Sequence, residues 1–206
     1  EMIKYANNSF LATKISFINQ LSNICQNIPG ANIDDIAKTI GLDPRIGALF
    51  LNAGPGYGGS CLPKDMKALI SFADKIGINP TLLNAVEKIN QKQIQNIISL
   101  MEKTLGTLAS KRITVLGTAF KPNTDDIRDS IAIELIKKLL KKKSRITIYD
   151  PKAIKNTKSV FGEKIIYARS ITDALNKSQC AILMTHWKQF ERFNNNSLKH
   201  MSRKFV

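Results

Sequence analysis

At 206 residues, with 43% hydrophobic and 23% charged side chains, the chain has material for one large domain or two small ones, each with its own core. No run of eighteen apolar residues occurs, and the N-terminus lacks the basic, apolar and small-residue regions of a secretion signal, so a soluble cytoplasmic protein is expected, without a membrane partner. The net charge of +15 comes from scattered or helix-borne lysines such as KKLLKKK at 137–143, with no aromatic-interleaved basic stripe. Solvated faces account for it first, an anionic phosphate-bearing ligand next, and nucleic acid last.

Residues 1–28 carry Ile3, Phe10, Ile15, Ile18, Leu21 and Cys25 at helical spacing, with no Gly or Pro before Pro29, and predict one long helix. NIDDIAKTIG at 32–41 predicts a short helix with an Asn cap and a closing Gly. Two more helices follow, at 63–77 and 80–106, each opened by Pro and closed by Gly. Near residue 110 the texture changes. The β-branched runs ITVLG (113–117) and RITIYD (145–150) flank an amphipathic helix at 130–143, which makes a βαβ unit. A strand at 164–168, a short helix around 171–178 and a strand at 180–185 continue the alternation. The expected fold is an all-helical domain, 1–108, followed by a Rossmann-like parallel α/β domain, 109–206, that takes its ligand at the carboxyl ends of the strands. GTAFKPNTDDIRDS (117–130) lies at such an end; its cations and the helix behind it suit a phosphate, although it is not a GxGxxG fingerprint.

Cys25, Cys61 and Cys180 are odd in number and far apart, so neither a complete disulfide framework nor a zinc site is expected. Cys61 stands in GPGYGGSCLPKD (54–65), just ahead of a helix N-terminus and beside Lys64, both of which favour thiolate. It is either a nucleophile or a turn cysteine. Cys25 and Cys180 lie in apolar runs and read as inert core thiols. Asp65, four residues on, is either a base beside the thiol or a first-turn carboxylate that complements the helix dipole.

GYGGSCLPKD resembles the nucleophile loop of the UDP-glucose and GDP-mannose dehydrogenase family, and ITVLGTAFKPNTDDIRDS the opening of that family's C-terminal domain. KYANNSFLATKISFINQLSNIC resembles its central helix and LDPRIG (42–47) the segment ahead of the loop, so the likeness spans essentially the whole chain. The resemblance implies a two-step oxidation of a sugar 6-hydroxyl to a carboxylate with two NAD+, on a nucleotide sugar such as UDP-glucose, in a homodimer. It assigns covalent capture of the aldehyde to Cys61, oxyanion stabilisation to Lys4 and Asn8, and the hydrolytic water to Asp65. Phe50, Tyr57 and Gly58 match the substrate loop, Phe120 and Lys121 the nucleotide-sugar pocket, Arg45 a residue reaching substrate across the dimer, and Arg128 an NAD contact. The family carries its NAD-binding domain ahead of the central helix, whereas this chain opens on Glu1; it also ends at HMSRKFV, before the last strand and the arginine that completes the uridine site. An incomplete, inactive chain is therefore expected, and a stand-alone nucleotide-sugar-binding or dimerisation module is the alternative.

Overall fold

The computed structural model describes residues 1–191 and 197–202, so Arg203 to Val206 of the closing segment lie outside the described residues. The chain forms two compact units, Glu1–Ile97 and Ile98–Val206. The division falls inside a helix rather than at the change of sequence texture.

The first unit is helical. α1 (Met2–Cys25), α2 (Ile33–Gly41), α3 (Leu62–Lys75) and the start of α4 (Thr81–Leu105) follow the predicted segments to within a few residues. Asn32 caps α2 as expected, its side chain accepting the Asp34 N–H at 2.9 Å. The predicted apolar stripe of α1 does not act as one face. Ile18 is fully buried, but Ile3 is 88% exposed and Phe10 65%. The inward face is built instead on Ser9, Ala12, Ser16 and Asn19, small or amide residues that let α3 pack closely. Ile3, Phe10, Phe17 and Ile24 recur every seventh residue on the outside. Inside, Ala12, Met66 and Val86 from three helices surround Tyr57 from the loop between α2 and α3.

The second unit is an α/β layer structure. β1 (Arg112–Leu116), β2 (Arg145–Tyr149), β3 (Ile166–Tyr167) and β4 (Cys180–Leu183) form a wholly parallel sheet in the order β3-β2-β1-β4. Ile113 pairs with Ile146 on one side and with Cys180 on the other. α5 (Ile131–Lys141) is the first crossover helix, and its Leu135, Ile136 and Leu139 are buried with Val115, Ile146 and Ile148 of the strands. Each such side chain contributes about 1.5–3 kcal/mol by leaving water. The second crossover contains a helix, α6 (Ile154–Phe161), for which the sequence reading has no element. Its eight residues hold only three apolar ones, too few for periodicity, yet a parallel pair needs a long connection. α7 (Ile171–Leu175) leads the chain back past β1 to β4. Strand order thus reverses between β1 and β4, which opens a crevice at their carboxyl ends.

Candidate functional site

Cys61 is the N-cap residue of α3, and Pro63 in the first turn fits where helical N–H groups have no partner. The helix is wound from its first residue, since Asp65 N–H donates to the Cys61 carbonyl at 2.9 Å. Asp65 therefore stands one turn from the cysteine, and its side chain is fully buried. Its Oδ2 accepts from Asn8 Nδ2 at 2.7 Å and lies 3.2 Å from Lys4 Nζ, while Lys64 Nζ stands 3.7 Å from Oδ1. Oδ1 is buried without a hydrogen-bond partner. Burial pushes the Asp65 carboxyl up, but the Asn8 amide, the Lys4 ammonium and the charge of Lys64 outweigh it and hold the carboxyl below its ordinary value. The same contact raises Lys4. The structure thus brings Lys4, Asn8 and Asp65 together and sets the exposed Cys61 at the head of the same turn. Ser60 Oγ lies 3.8 Å from the sulfur. Cys25 and Cys180 are buried, and burial pushes the Cys180 thiol up to about 12.

Side-chain amides hold the loop ahead of Cys61. Asn90 of α4 accepts from Tyr57 N–H at 2.8 Å and donates to the Tyr57 carbonyl at 3.0 Å. Gly54 is held in the same way, donating to Asn19 at 2.7 Å and accepting from Gln93 at 3.0 Å. Gly56 passes so close to Asn90 that a Cβ would lie 2.4 Å from its side-chain oxygen, and at φ +114° only glycine is unstrained. Sequence reasoning missed Asn19, Asn90 and Gln93, because a polar residue on a helix face reads as solvated.

The residues matched to the substrate loop differ in what they offer. Tyr57 does not present its ring to a ligand: the side chain is 3% exposed and its hydroxyl donates to Glu87 at 2.9 Å. Burial and the Glu87 charge push that phenol well above its usual value, so it stays a donor. Phe50 stands 42% exposed with φ +65°, a strained setting for an aromatic residue, of the sort that concentrates at functional sites. Gly58 is half-buried. Arg45 is exposed and forked onto Asp43 at 2.6–3.2 Å, which holds the Asp43 carboxyl below its usual value. Lys14 of α1 ties down the carbonyls of Ile46 and Gly47.

Phe120, Lys121 and Arg128 belong to the second unit, in the segment after β1. Lys121 is exposed, its ammonium 5.3 Å over the Phe120 ring. Arg128 is forked onto Asp126. The first amides of this segment are taken by Asp150, just after β2. Asp150 is buried; its Oδ2 takes the N–H groups of Thr118 and Ala119, and its Oδ1 those of Lys152 and Ala153. Gly117 has φ +89°, and a Cβ there would meet Thr185 at 2.5 Å; protein, not ligand, fills the space the glycine leaves. These residues do not fit a dinucleotide cradle for NAD, and Lys121 is an exposed cation of the same segment. Beside it the carboxyl ends of the strands enclose a cavity of about 470 Å³, lined by Pro122, Asn123, Pro151, His186, Trp187 and Lys188 among others. No described group of His, Cys, Asp or Glu is placed to hold a metal ion. Among the described residues no helix is long and apolar enough to cross a membrane.

A helical unit presenting an exposed thiol on an amide-held loop, followed by a parallel α/β unit with a crevice at its switch point, defines a class of two-part, ligand-binding chain. The particular family follows from comparison: residues 1–92 match the central domain of the UDP-glucose/GDP-mannose dehydrogenase family and residues 114–206 its UDP binding domain, and the chain belongs to that family. It is 43% identical over 193 residues to the UDP-glucose 6-dehydrogenase YwqF of Bacillus subtilis, covering 94% of this chain and 44% of that protein. It is 47% identical over 190 residues to the UDP-glucose 6-dehydrogenase AglM of Haloferax volcanii, covering 92% and 44%. The solved UDP-glucose dehydrogenase of Pyrobaculum islandicum superposes with a TM-score of 0.92 at 32% identity, covering all of this chain and 50% of that one. The chain therefore spans about half the length of the relatives it matches.

Proposed function

We propose that the chain is the thiol-bearing and nucleotide-binding part of an NAD-dependent dehydrogenase that oxidises UDP-glucose to UDP-glucuronate. The observation that carries this reading is the exposed Cys61 one helical turn ahead of a buried Asp65 that gathers Lys4 and Asn8. A first oxidation converts the sugar 6-hydroxyl to an aldehyde, to which the Cys61 thiolate adds to form a thiohemiacetal; a second loss of hydride would give the thioester, and water releases the uronate and frees the thiol. NAD, when bound, would accept the hydride of each oxidation, and no hydride step is assigned to the residues of this chain. Lys4 keeps ammonium protons beyond the one facing Asp65, and Asn8 keeps a second amide N–H, so both have donors to spare for a developing oxyanion. Asp65, held ionised by those partners, would position or activate the hydrolytic water through Oδ1, the oxygen without a hydrogen-bond partner. Phe50, Gly58 and the backbone of Tyr57 shape the sugar side; Phe120 and Lys121 meet the nucleotide; Arg45 reaches a substrate bound to a second subunit; Arg128 contacts NAD. The exposed heptad Ile3, Phe10, Phe17 and Ile24 supports a homodimer through α1.

Limited alkylation at neutral pH followed by peptide mapping tests the thiol. Cys61 is labelled first, and earlier labelling of Cys25 or Cys180 refutes the assignment. In a protein of the relatives' length, Cys61→Ser abolishes uronate formation, and turnover of a nucleotide-sugar panel ranks UDP-glucose against its 2-acetamido and GDP-linked counterparts. Light scattering gives a mass near twice 22.9 kDa, which Phe10→Glu halves.

A further inference from the structure

At the amino ends of the strands, opposite the segments that carry Lys121, charge is gathered in a way that neither the fold nor the proposed reaction uses. Arg112 opens β1 and Arg145 opens β2, and the two are partners in register, so their side chains leave the same face of the sheet. Like charges placed directly opposite repel each other. Neither guanidinium has a carboxylate within ion-pair distance among the described residues. The neighbouring lysines at 141–143 have an ordinary explanation, since they stand at the C-terminal end of α5, where they complement its dipole, and Lys142 pairs with Glu102. The arginines belong to strands and have no such account.

Beside them is a cavity of about 360 Å³, lined by Ser110, Arg112, Arg145, Lys177, Gln179 and Ser202. Among the described residues its lining holds three cations, two hydroxyls and one amide, with no acid and no apolar side chain. Lys177 is fixed in a left-handed conformation, φ +58°, by its N–H donating to the His200 carbonyl at 2.8 Å and its carbonyl accepting from Ser202 Oγ at 3.1 Å. Gln179 accepts the Arg112 N–H through Oε1 at 3.1 Å, which turns its Nε2 donor over to other partners. Cations without a carboxylate partner among the described residues, drawn from β1, β2 and the turn ahead of β4, are what a multiply charged oxyanion requires.

We propose that this pocket is a binding site for a small phosphate-bearing anion, separate from the nucleotide-sugar crevice at the other end of the sheet. A diphosphate group, free or carried on a nucleotide, matches its charge and its three cations. The proposal does not depend on the dehydrogenase reading.

Calorimetric titration of the 206-residue chain with inorganic pyrophosphate, in a buffer free of phosphate and sulfate, tests it. Saturable binding is expected, at least tenfold weaker in Arg112→Gln/Arg145→Gln, with Lys38→Gln, an exposed cation of the first unit, within twofold of the parent. Both arginines are exposed, so the double variant keeps its fold, which its melting curve verifies. UDP as titrant separates the sources: a UDP affinity above that of pyrophosphate, also lost in the double variant, marks a nucleotide, and the reverse order a free diphosphate. The proposal is overturned by absence of saturable pyrophosphate binding, by binding that survives in the double variant, or by loss in Lys121→Gln alone. Tighter binding of a DNA oligonucleotide than of pyrophosphate, with a steep salt slope, overturns it in favour of a diffuse polyanion surface.

Discussion

Two loops in this protein do the same mechanical work, leading the chain through glycine to the head of a helix, and they are held by opposite chemistry. The loop before α3 is pinned by neutral amides, Asn19, Asn90 and Gln93, and ends on an exposed thiol. The segment after β1 is pinned by one buried carboxylate, Asp150, that takes four backbone N–H groups. A neutral clamp leaves the electrostatics of the thiol to its own helix and to the Lys4 to Asp65 group. A carboxylate clamp spends the very amides that would otherwise draw an anion, so in the second unit the capacity to meet phosphate passes to side chains.

The contrast is broken most severely at Asp150. Asp150→Ala strands four donors, and the second unit should lose roughly 3–5 kcal/mol, while Asp150→Asn should lose less. Trp187, the only tryptophan, is buried in the cluster that includes Ala119 and reports urea unfolding of this unit by fluorescence. A change below about 1 kcal/mol would show that the carboxylate is incidental.

Asn90→Ala attacks the neutral clamp. Two buried hydrogen bonds to Tyr57 are lost, at a cost of about 2 kcal/mol to the first unit, and the loop before Cys61 loosens. Hydrogen exchange should rise at the Tyr57 amide and the alkylation rate of Cys61 should change; an unaltered rate would separate loop order from thiol chemistry.

The acid limb sharpens the comparison further. Asp65 has a carboxyl held below its unfolded value, so its contribution to stability is fully present above the ordinary carboxylate range, near pH 4, and fades as pH falls through the lowered value. Helical circular dichroism melts should therefore stay level from pH 7 to about 4 and fall below it. Lys4→Met removes one cause of the depression, so the fall should still begin near pH 4 but be shallower and end at a higher pH. Identical acid profiles for the two proteins would mean that Lys4 does not stabilise the ionised carboxylate.

Arg45→Ala should have the smallest effect. The Arg45 and Asp43 pair is exposed, and water already solvates both charges, so the melting temperature should not move measurably. A clear drop would place Arg45 in a packed interface instead.

The sequence by itself determined the elements and the two loops. Helical spacing without Gly or Pro marks α1, Pro and Gly bracket α4, and β-branched runs mark β1 and β2, because each of these signals is a local steric preference. The loop at 54–65 was legible as a candidate site, since a cysteine beside four glycines at a helix start is a specific pattern within a dozen residues. α6 was not, because eight mostly polar residues show no periodicity and only the parallel sheet requires them to form a crossover. The inward face of α1 was not legible either: it depends on α3 packing against Ser9, Ala12 and Ser16, a choice made by partners distant in the chain. Tyr57, legible as a loop residue, became a core residue because its hydroxyl could reach Glu87 thirty residues on. Tertiary structure also decided the partners of the buried polar groups. Asn90 and Asp150 look like solvated residues in sequence, and only the folded chain delivers backbone N–H groups to them, where desolvation makes each unmade hydrogen bond costly.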